Sequence, residues 1–248
     1  MQRFFDDNTK IPREVWNDKE TMKFTHKVFH LDKDDQRLEL FNDMNNYMAQ
    51  YSEELDTPTI SISNNIDLEC FYEDNPIVKF DKNGYEFNNE VGWRYGELGI
   101  WASNITAYIN FLKTDKDYLI LMEDDIEYFP GFFENLLKYM DQLNPDWDLF
   151  FYYAPGNTNA GEFYPEEDDV CKAYQDWSCL CYVVNRKAAE KIIKDVNTNP
   201  INLPIDYYFF RQPEKYNCYT VKPTSKLYCK ISGLESTFQT KQQRKVLA

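Results

Sequence analysis

Five consecutive apolar residues, Tyr118–Met122 (Y-L-I-L-M), end abruptly on three carboxylates, Glu123-Asp124-Asp125. A short run without polar alternation fits a strand covered on both faces, the situation of a central strand in a parallel sheet. Three adjacent charges cannot continue into a core, so the chain must leave the sheet at Glu123.

The neighbouring segments fit that sheet. Lys27–Leu31 (K-V-F-H-L) reads as a short buried strand, followed by the acidic turn Asp32–Asp35 and a helix with Leu38, Phe41, Met44 and Met48 at helical spacing. Thr59–Ser63 alternates as a second strand, and residues 72–92 carry the Pro, Gly and Asn of an irregular connection. Glu97–Lys113 is an amphipathic helix with Leu98, Trp101, Ile105, Tyr108, Ile109 and Leu112 on one stripe. Pro130 opens a helix whose apolar face is Phe133, Leu136, Leu137 and Met140. Trp147–Tyr153 and Leu180–Val184 read as strands, residues 154–175 as a long polar loop, and Lys187–Val196 as a helix. From Tyr219 the chain alternates short strands and turns. Strands alternating with helices predict an α/β fold, a mostly parallel sheet with helices on both faces. In such folds ligands sit outside the carboxyl ends of the strands, where the acidic triplet falls.

Charge narrows the partners. The net charge of −15 repels polyanions, which argues against nucleic acid and against anionic membrane surfaces. An anionic ligand would need a local cation. The 19 Tyr and 18 Phe are mostly core material, although some suit a sugar or base pocket. The six cysteines show no C-x-x-C pair, and the two histidines, His26 and His30, do not join them at zinc spacing. Free thiols, a polar N-terminus and apolar runs too short to span a bilayer lead to the expectation of a soluble, cytoplasmic protein.

Three carboxylates at a strand end have two readings. One is a seat for a hard divalent ion, Mn or Mg, which takes oxygen ligands and keeps positions open for phosphate and water. The acidic-x-acidic spacing lets Glu123 and Asp125 approach one ion. The other is an acidic loop that caps the following helix. Taken alone, the triplet leaves these even.

The wider pattern resembles the family 25 glycosyltransferases, which include lipooligosaccharide and collagen galactosyltransferases. The resemblance runs in order through V-F-H-L-D-K-D-D-Q-R at Val28–Arg37, S-N-N-I-D-L-E at Ser63–Glu69, G-E-L-G-I-W-A-S at Gly96–Ser103 and L-I-L-M-E-D-D ending at Asp125. It continues through P-G-F at Pro130–Phe132, W-D-L-F-F at Trp147–Phe151, Y-V-V-N-R-K-A-A at Tyr182–Ala189, P-I-D-Y-Y-F at Pro204–Phe209 and G-L-E-S-T-F at Gly233–Phe238. It implies one Rossmann-like GT-A-type catalytic domain over 26–240, a mixed, mostly parallel sheet flanked by helices. Residues 1–25 would be an extension packed on it, and 241–248 a basic tail. It further implies a nucleotide-diphosphate sugar donor (a UDP-sugar first), transfer of a hexose to a hydroxyl of a saccharide or glycoconjugate, inversion, and a metal. Two departures stand out: Ser103-Asn104 replaces the family's Ser-His, and no histidine follows His30 to serve as a late metal ligand. A third ligand would be an oxygen, from Glu235, Ser236 or water.

On this resemblance Asp125 and then Glu123 are the metal ligands, and Asp124 orients the donor sugar or ribose, or else stabilises the turn. Arg37 holds a base or phosphate, with a surface ion pair as the alternative. Asp67 contacts the nucleoside or completes an Asx turn, and Glu97 binds donor or caps its helix. Lys226 and Lys230 are candidates for the diphosphate, with solvated strand lysines as the default. An inverting transfer needs a general base, and Asp206 is the first candidate with Asp176, beside Trp177, the second. Residues 156–170 form a candidate lid. Rival readings are a non-catalytic nucleotide-sugar or carbohydrate-binding domain of the same fold, motivated by the missing histidines, and a viral DNA-base glycosyltransferase, which the charge opposes.

Overall fold

The computed structural model describes residues 22–31, 35–60, 95–153, 168–173 and 179–233. Among them the second strand expected at Thr59–Ser63 is represented only by Thr59 and Ile60, which lie outside any strand. Asp67, Asp176, Glu235, Ser236 and the basic tail lie outside the described residues.

In chain order the elements are β1 (Phe24–Phe29), α1 (Leu38–Met48), β2 (Glu53–Glu54), α2 (Tyr95–Leu112), β3 (Tyr118–Glu123), β4 (Ile126–Tyr128) and α3 (Phe132–Met140). Then come β5 (Leu149–Tyr153), β6 (Val170–Lys172), β7 (Cys181–Asn185), α4 (Arg186–Thr198), α5 (Ile205–Phe210), β8 (Cys218–Val221) and β9 (Cys229–Ile231). Seven strands form one sheet in the order β2-β1-β3-β7-β5-β8-β6, and β4 pairs with β9 in a second, two-stranded sheet. The main sheet is mixed: β2, β1, β3, β5 and β8 run one way, and β7 and β6 run against them.

The apolar run of β3 behaves as its composition requires. Leu119 and Leu121 pack into the core beneath α2, α4 and α5, while Ile120 and Met122 pack into the opposite core beneath α1 and α3. All four are fully buried, each worth about 1.5–3 kcal/mol of transfer free energy. The expected helical stripes face these cores: Leu98, Trp101, Ile105 and Tyr108 of α2 are buried, as are Phe133, Leu136 and Met140 of α3 and Ala189, Ile192 and Val196 of α4. Asn185 caps α4, its side chain accepting from the Ala188 N–H at 2.8 Å.

Several boundaries differ from the sequence reading. β1 begins at Phe24, three residues early, because its polar residues are partnered: Thr25 Oγ1 donates to the Glu53 carbonyl and His26 Nδ1 lies 2.8 Å from Ser52 Oγ. The polar loop expected over 154–175 contains strand β6, which pairs antiparallel with β8. Asp169, just before it, is held by Lys138 at 3.1 Å and Ser225 at 2.9 Å. Leu38, expected on the buried stripe of α1, is exposed. Among the described residues Cys171, Cys179, Cys181, Cys218 and Cys229 are buried. No helix of the described residues is long and apolar enough to cross a membrane.

Candidate active site

β1 has β2 on one side and β3 on the other, so the chain's order reverses there, and a crevice opens at the carboxyl ends of β1 and β3. A cleft of about 460 Å3, counting its part open to solvent, occupies that position. Phe29 and Leu31 border it from the end of β1, and Glu123 and Asp124 from the end of β3. Ile100, Ser103 and Asn104 of α2 border it too, with Thr59 and Cys179. The reversed strand β7 explains Cys179: running antiparallel to β3, it brings its beginning to the end where the carboxylates are, and the Glu123 N–H donates to the Leu180 carbonyl at 2.9 Å.

Asp124 is held through both of its carboxylate oxygens. Its Oδ1 accepts from Arg37 Nη1 at 2.8 Å, and its Oδ2 lies 2.7 Å from His30 Nδ1. Arg37 Nη2 is also 3.4 Å from Asp125 Oδ2. These side chains are almost wholly out of water, so the guanidinium is a buried counter-ion to the pair Asp124–Asp125. The His30 ring stacks on Phe41 of α1, centroids 4.7 Å apart, which fixes the plane from which it meets Asp124. The backbone after the triplet is anchored as well, since the Ser232 N–H donates to the Asp125 carbonyl at 2.7 Å.

Glu123 is in a different state. Burial in the site pushes its carboxyl up to about 8; Asp125 and Asp124 add to the rise, Arg37 opposes it, and Asp206 adds a smaller push. Asp206 therefore lies within electrostatic reach of the triplet. It occupies the first turn of α5, and Pro204 is the N-cap. That helix is tied to α2 by Trp101 Nε1, which donates to the Leu203 carbonyl at 2.8 Å.

The other sequence candidates divide. Arg37 is at the heart of the site. Glu97 is in the first turn of α2, the helix that forms one wall. Lys230 is elsewhere: it faces Glu127 across the β4–β9 ladder and pairs with it at 2.8 Å, half exposed. Lys226 is exposed, its ammonium 4.5 Å from the Tyr228 ring centroid. Two participants were missed. His30 sits within the quoted V-F-H-L-D motif, but its partner is 94 residues away. Asn104 stands where the resembled family has histidine, and it ends a buried chain: Tyr182 donates its hydroxyl to Asn104 Oδ1, and the Tyr108 hydroxyl lies 2.5 Å from that of Tyr182.

The donor set can be tested against a metal. Among the described residues no group of three or more His, Cys, Asp or Glu is placed to hold a metal ion, so protein side chains there could supply two ligands at most. Glu123, which borders the cleft, and Asp125, whose charge adds to the effect of burial on Glu123, offer hard oxygen donors, and a cation would relieve that repulsion. That set fits an ion of the Mg or Mn type, held by one or two carboxylates and completed by phosphate and water.

No protein-family model matches the chain, and no curated protein matches it. Solved structures are similar to it at low identity. The crystal structure of A197 from STIV shares 15% identity, covering 81% of each chain at a TM-score of 0.41. A glycosyltransferase involved in glycosylation of the major capsid of PBCV-1 shares 10%, covering 82% of this chain and 94% of its own, at 0.42. A mutant Drosophila β-1,4-galactosyltransferase 7, in complex with manganese, UDP-Gal and xylobiose, shares 11%, covering 90% and 79%, at 0.39.

Proposed function

We propose that the chain is a nucleotide-sugar-dependent glycosyltransferase of the family 25 type, with a GT-A-like domain over 26–240, transferring a hexose from a UDP-sugar to a hydroxyl of a saccharide or glycoconjugate. The observation that carries this reading is the carboxylate triplet at the end of β3, whose Glu123 and Asp124 line a cleft at the β1/β3 crevice, with Arg37 clamped across Asp124 and Asp125.

In this reading the cleft takes the donor. Phe29, Leu31 and Ile100 supply apolar walls for a base or sugar face, and the triplet marks the end where the diphosphate lies. Asp125 and Glu123 hold the divalent ion, which when bound neutralises charge on the departing diphosphate. Asp124 orients the donor side of the site by fixing Arg37 and His30, and Arg37 contributes a permanent positive charge in a protein of net −15. Asp206 takes the proton of the acceptor hydroxyl as that oxygen bonds to the anomeric carbon and the bond to the diphosphate breaks, inverting the centre. Asp67 and Glu97 are assigned to the donor, and Asp176 is the alternative base.

One observation favours a second reading. Arg37 already neutralises much of the charge on Asp124 and Asp125, which suits a domain that binds nucleotide sugar without turning it over. One experiment separates the two. The protein is incubated with manganese, a panel of nucleotide sugars and simple saccharide acceptors, and nucleotide release is followed with and without chelator. Turnover that chelator and Asp125→Asn both abolish supports the transferase. Donor binding without release supports the binding domain, and absence of binding to every donor refutes both.

A further inference from the structure

The wall of the cleft formed by α2 carries a polar group more elaborately held than its burial requires. Asn104 is 2% exposed. Its Nδ2 donates one N–H to the Ile100 carbonyl at 2.8 Å, and its Oδ1 accepts the Tyr182 hydroxyl. The single proton of Tyr182 is thereby committed to Asn104, so Tyr108, 2.5 Å behind it, is the donor to Tyr182. Both tyrosines are fully buried. The result is a one-way chain, Tyr108 to Tyr182 to Asn104, that sets which way the amide faces. A flipped amide would turn N–H toward the Tyr182 proton and carbonyl toward the Ile100 carbonyl. The second N–H of Nδ2 is left over, on a side chain that borders the cleft shared with Glu123 and Asp124. Partners of this kind orient any buried amide; what sets Asn104 apart is that the donor they leave over belongs to a residue of the cleft wall.

We propose that Asn104 is the specificity-determining donor of this cleft, its remaining amide N–H bonding an acceptor oxygen of the bound nucleotide sugar, with Tyr182 and Tyr108 as positioning residues. The proposal rests on the nucleotide-sugar reading above. The acceptor oxygen is either the O4 carbonyl of uracil, which cytosine replaces with an amino group, or a hydroxyl of the sugar. A site built to bond such an oxygen rejects the analogue lacking it, because its own donor is then left buried and unmet.

Calorimetric titration with UDP, CDP and UDP-hexose, on wild type, Asn104→Asp and Tyr182→Phe, tests it. Asn104→Asp keeps the shape and replaces the amide donor with an acid. Tyr182→Phe keeps the volume and removes the bond on Oδ1, leaving the amide positioned by the Ile100 carbonyl alone. If the base is read, wild type prefers UDP to CDP by on the order of tenfold or more, and both variants shrink that ratio. If the sugar is read, UDP and CDP bind alike, UDP-hexose binds tighter than UDP, and both variants lose the gain. Variants that weaken every probe equally, or none, overturn the proposal, as does a wild type that discriminates in neither way. Should Asn104→Asp fail to fold, Tyr182→Phe decides alone. A wild type that binds no nucleotide at all defeats the nucleotide-sugar reading first, and this proposal with it, a pattern distinct from unchanged selectivity in a protein that binds.

Discussion

Arg37 and Asp124 meet at 2.8 Å although 87 residues separate them, and both side chains are more than nine-tenths buried. A buried pair of this kind contributes little net stability over an apolar pair, but removing one member strands the other charge. Arg37 additionally faces Asp125, and Asp124 additionally faces His30, so the damage differs by which is removed.

Arg37→Ala should therefore destabilise the protein by roughly 3–5 kcal/mol, since two carboxylates lose their cation. Arg37→Lys should recover only part of this, because an ammonium cannot span both carboxylates as a planar guanidinium does. Urea denaturation of the three proteins checks both statements. A loss below about 1 kcal/mol for Arg37→Ala would show that water reaches the pair.

Glu123 gives the protein an unusual pH dependence. An acid with its folded value raised to about 8, against an ordinary 4.5, keeps its proton in the folded state over a window where the unfolded chain has lost it. The folded state then binds more protons than the unfolded state, so this contribution to stability is complete below about 4.5 and declines as pH rises toward 8. In chelator-treated protein the unfolding free energy should fall between pH 5 and 8, and Glu123→Gln should flatten that slope. A parallel slope in the variant would remove Glu123 as the cause.

Asp195, which is not among the residues bordering the cleft, acts with the opposite sign. It accepts from Tyr208 at 2.5 Å, Tyr216 at 2.7 Å and Asn199 at 2.8 Å, and it pairs with Lys215. Burial works against its charge, yet these partners hold the carboxyl below its usual range. A depressed acid contributes stability that is present above its unfolded value, near 4, and lost as pH falls through the folded value. Asp195→Asn should cost about 2–4 kcal/mol at pH 7 and much less at the acid edge of stability. Thermal melts at pH 7 and pH 4 would show the difference narrowing, and a constant difference would contradict the assignment.

How much of this was legible follows from what each element depends on. β3, α2, α3 and α4 were readable because their burial is written as periodicity or as an unbroken apolar run. β4 and β6 were not, since each has three residues and exists through its partner strand: Glu127 of β4 faces Lys230, a pairing no local pattern announces. α5 has six residues, fewer than two turns, and its apolar face looks like any short aromatic run. In the site, the triplet announced itself by three charges at a strand end. His30 did not, because the meaning of a lone histidine depends on an acid 94 residues away. Lys230 shows the converse, a cation with suitable chemistry whose position only the fold decides.

Trp101 links the scaffold to the proposed chemistry, and its substitution separates position from stability. The indole is fully buried in α2, packs edge-on against Tyr208 with centroids 5.0 Å apart, and donates to the Leu203 carbonyl at 2.8 Å. Leu203 is three residues before Asp206, so that bond sets where α5 begins and where the Asp206 carboxyl stands relative to Glu123. Trp101→Phe removes the N–H and some volume while keeping an aromatic ring, at a stability cost of about 1–3 kcal/mol. If Asp206 is the base, the variant should lose about tenfold or more in kcat with little change in the KM for donor, because misplacing a catalytic group by a fraction of an ångström is felt at the transition state and not in donor binding. Steady-state kinetics well below the melting temperature measure this. Equal changes in kcat and KM, or a loss explained by unfolded protein alone, would detach Asp206 from the reaction and leave α5 as scaffold.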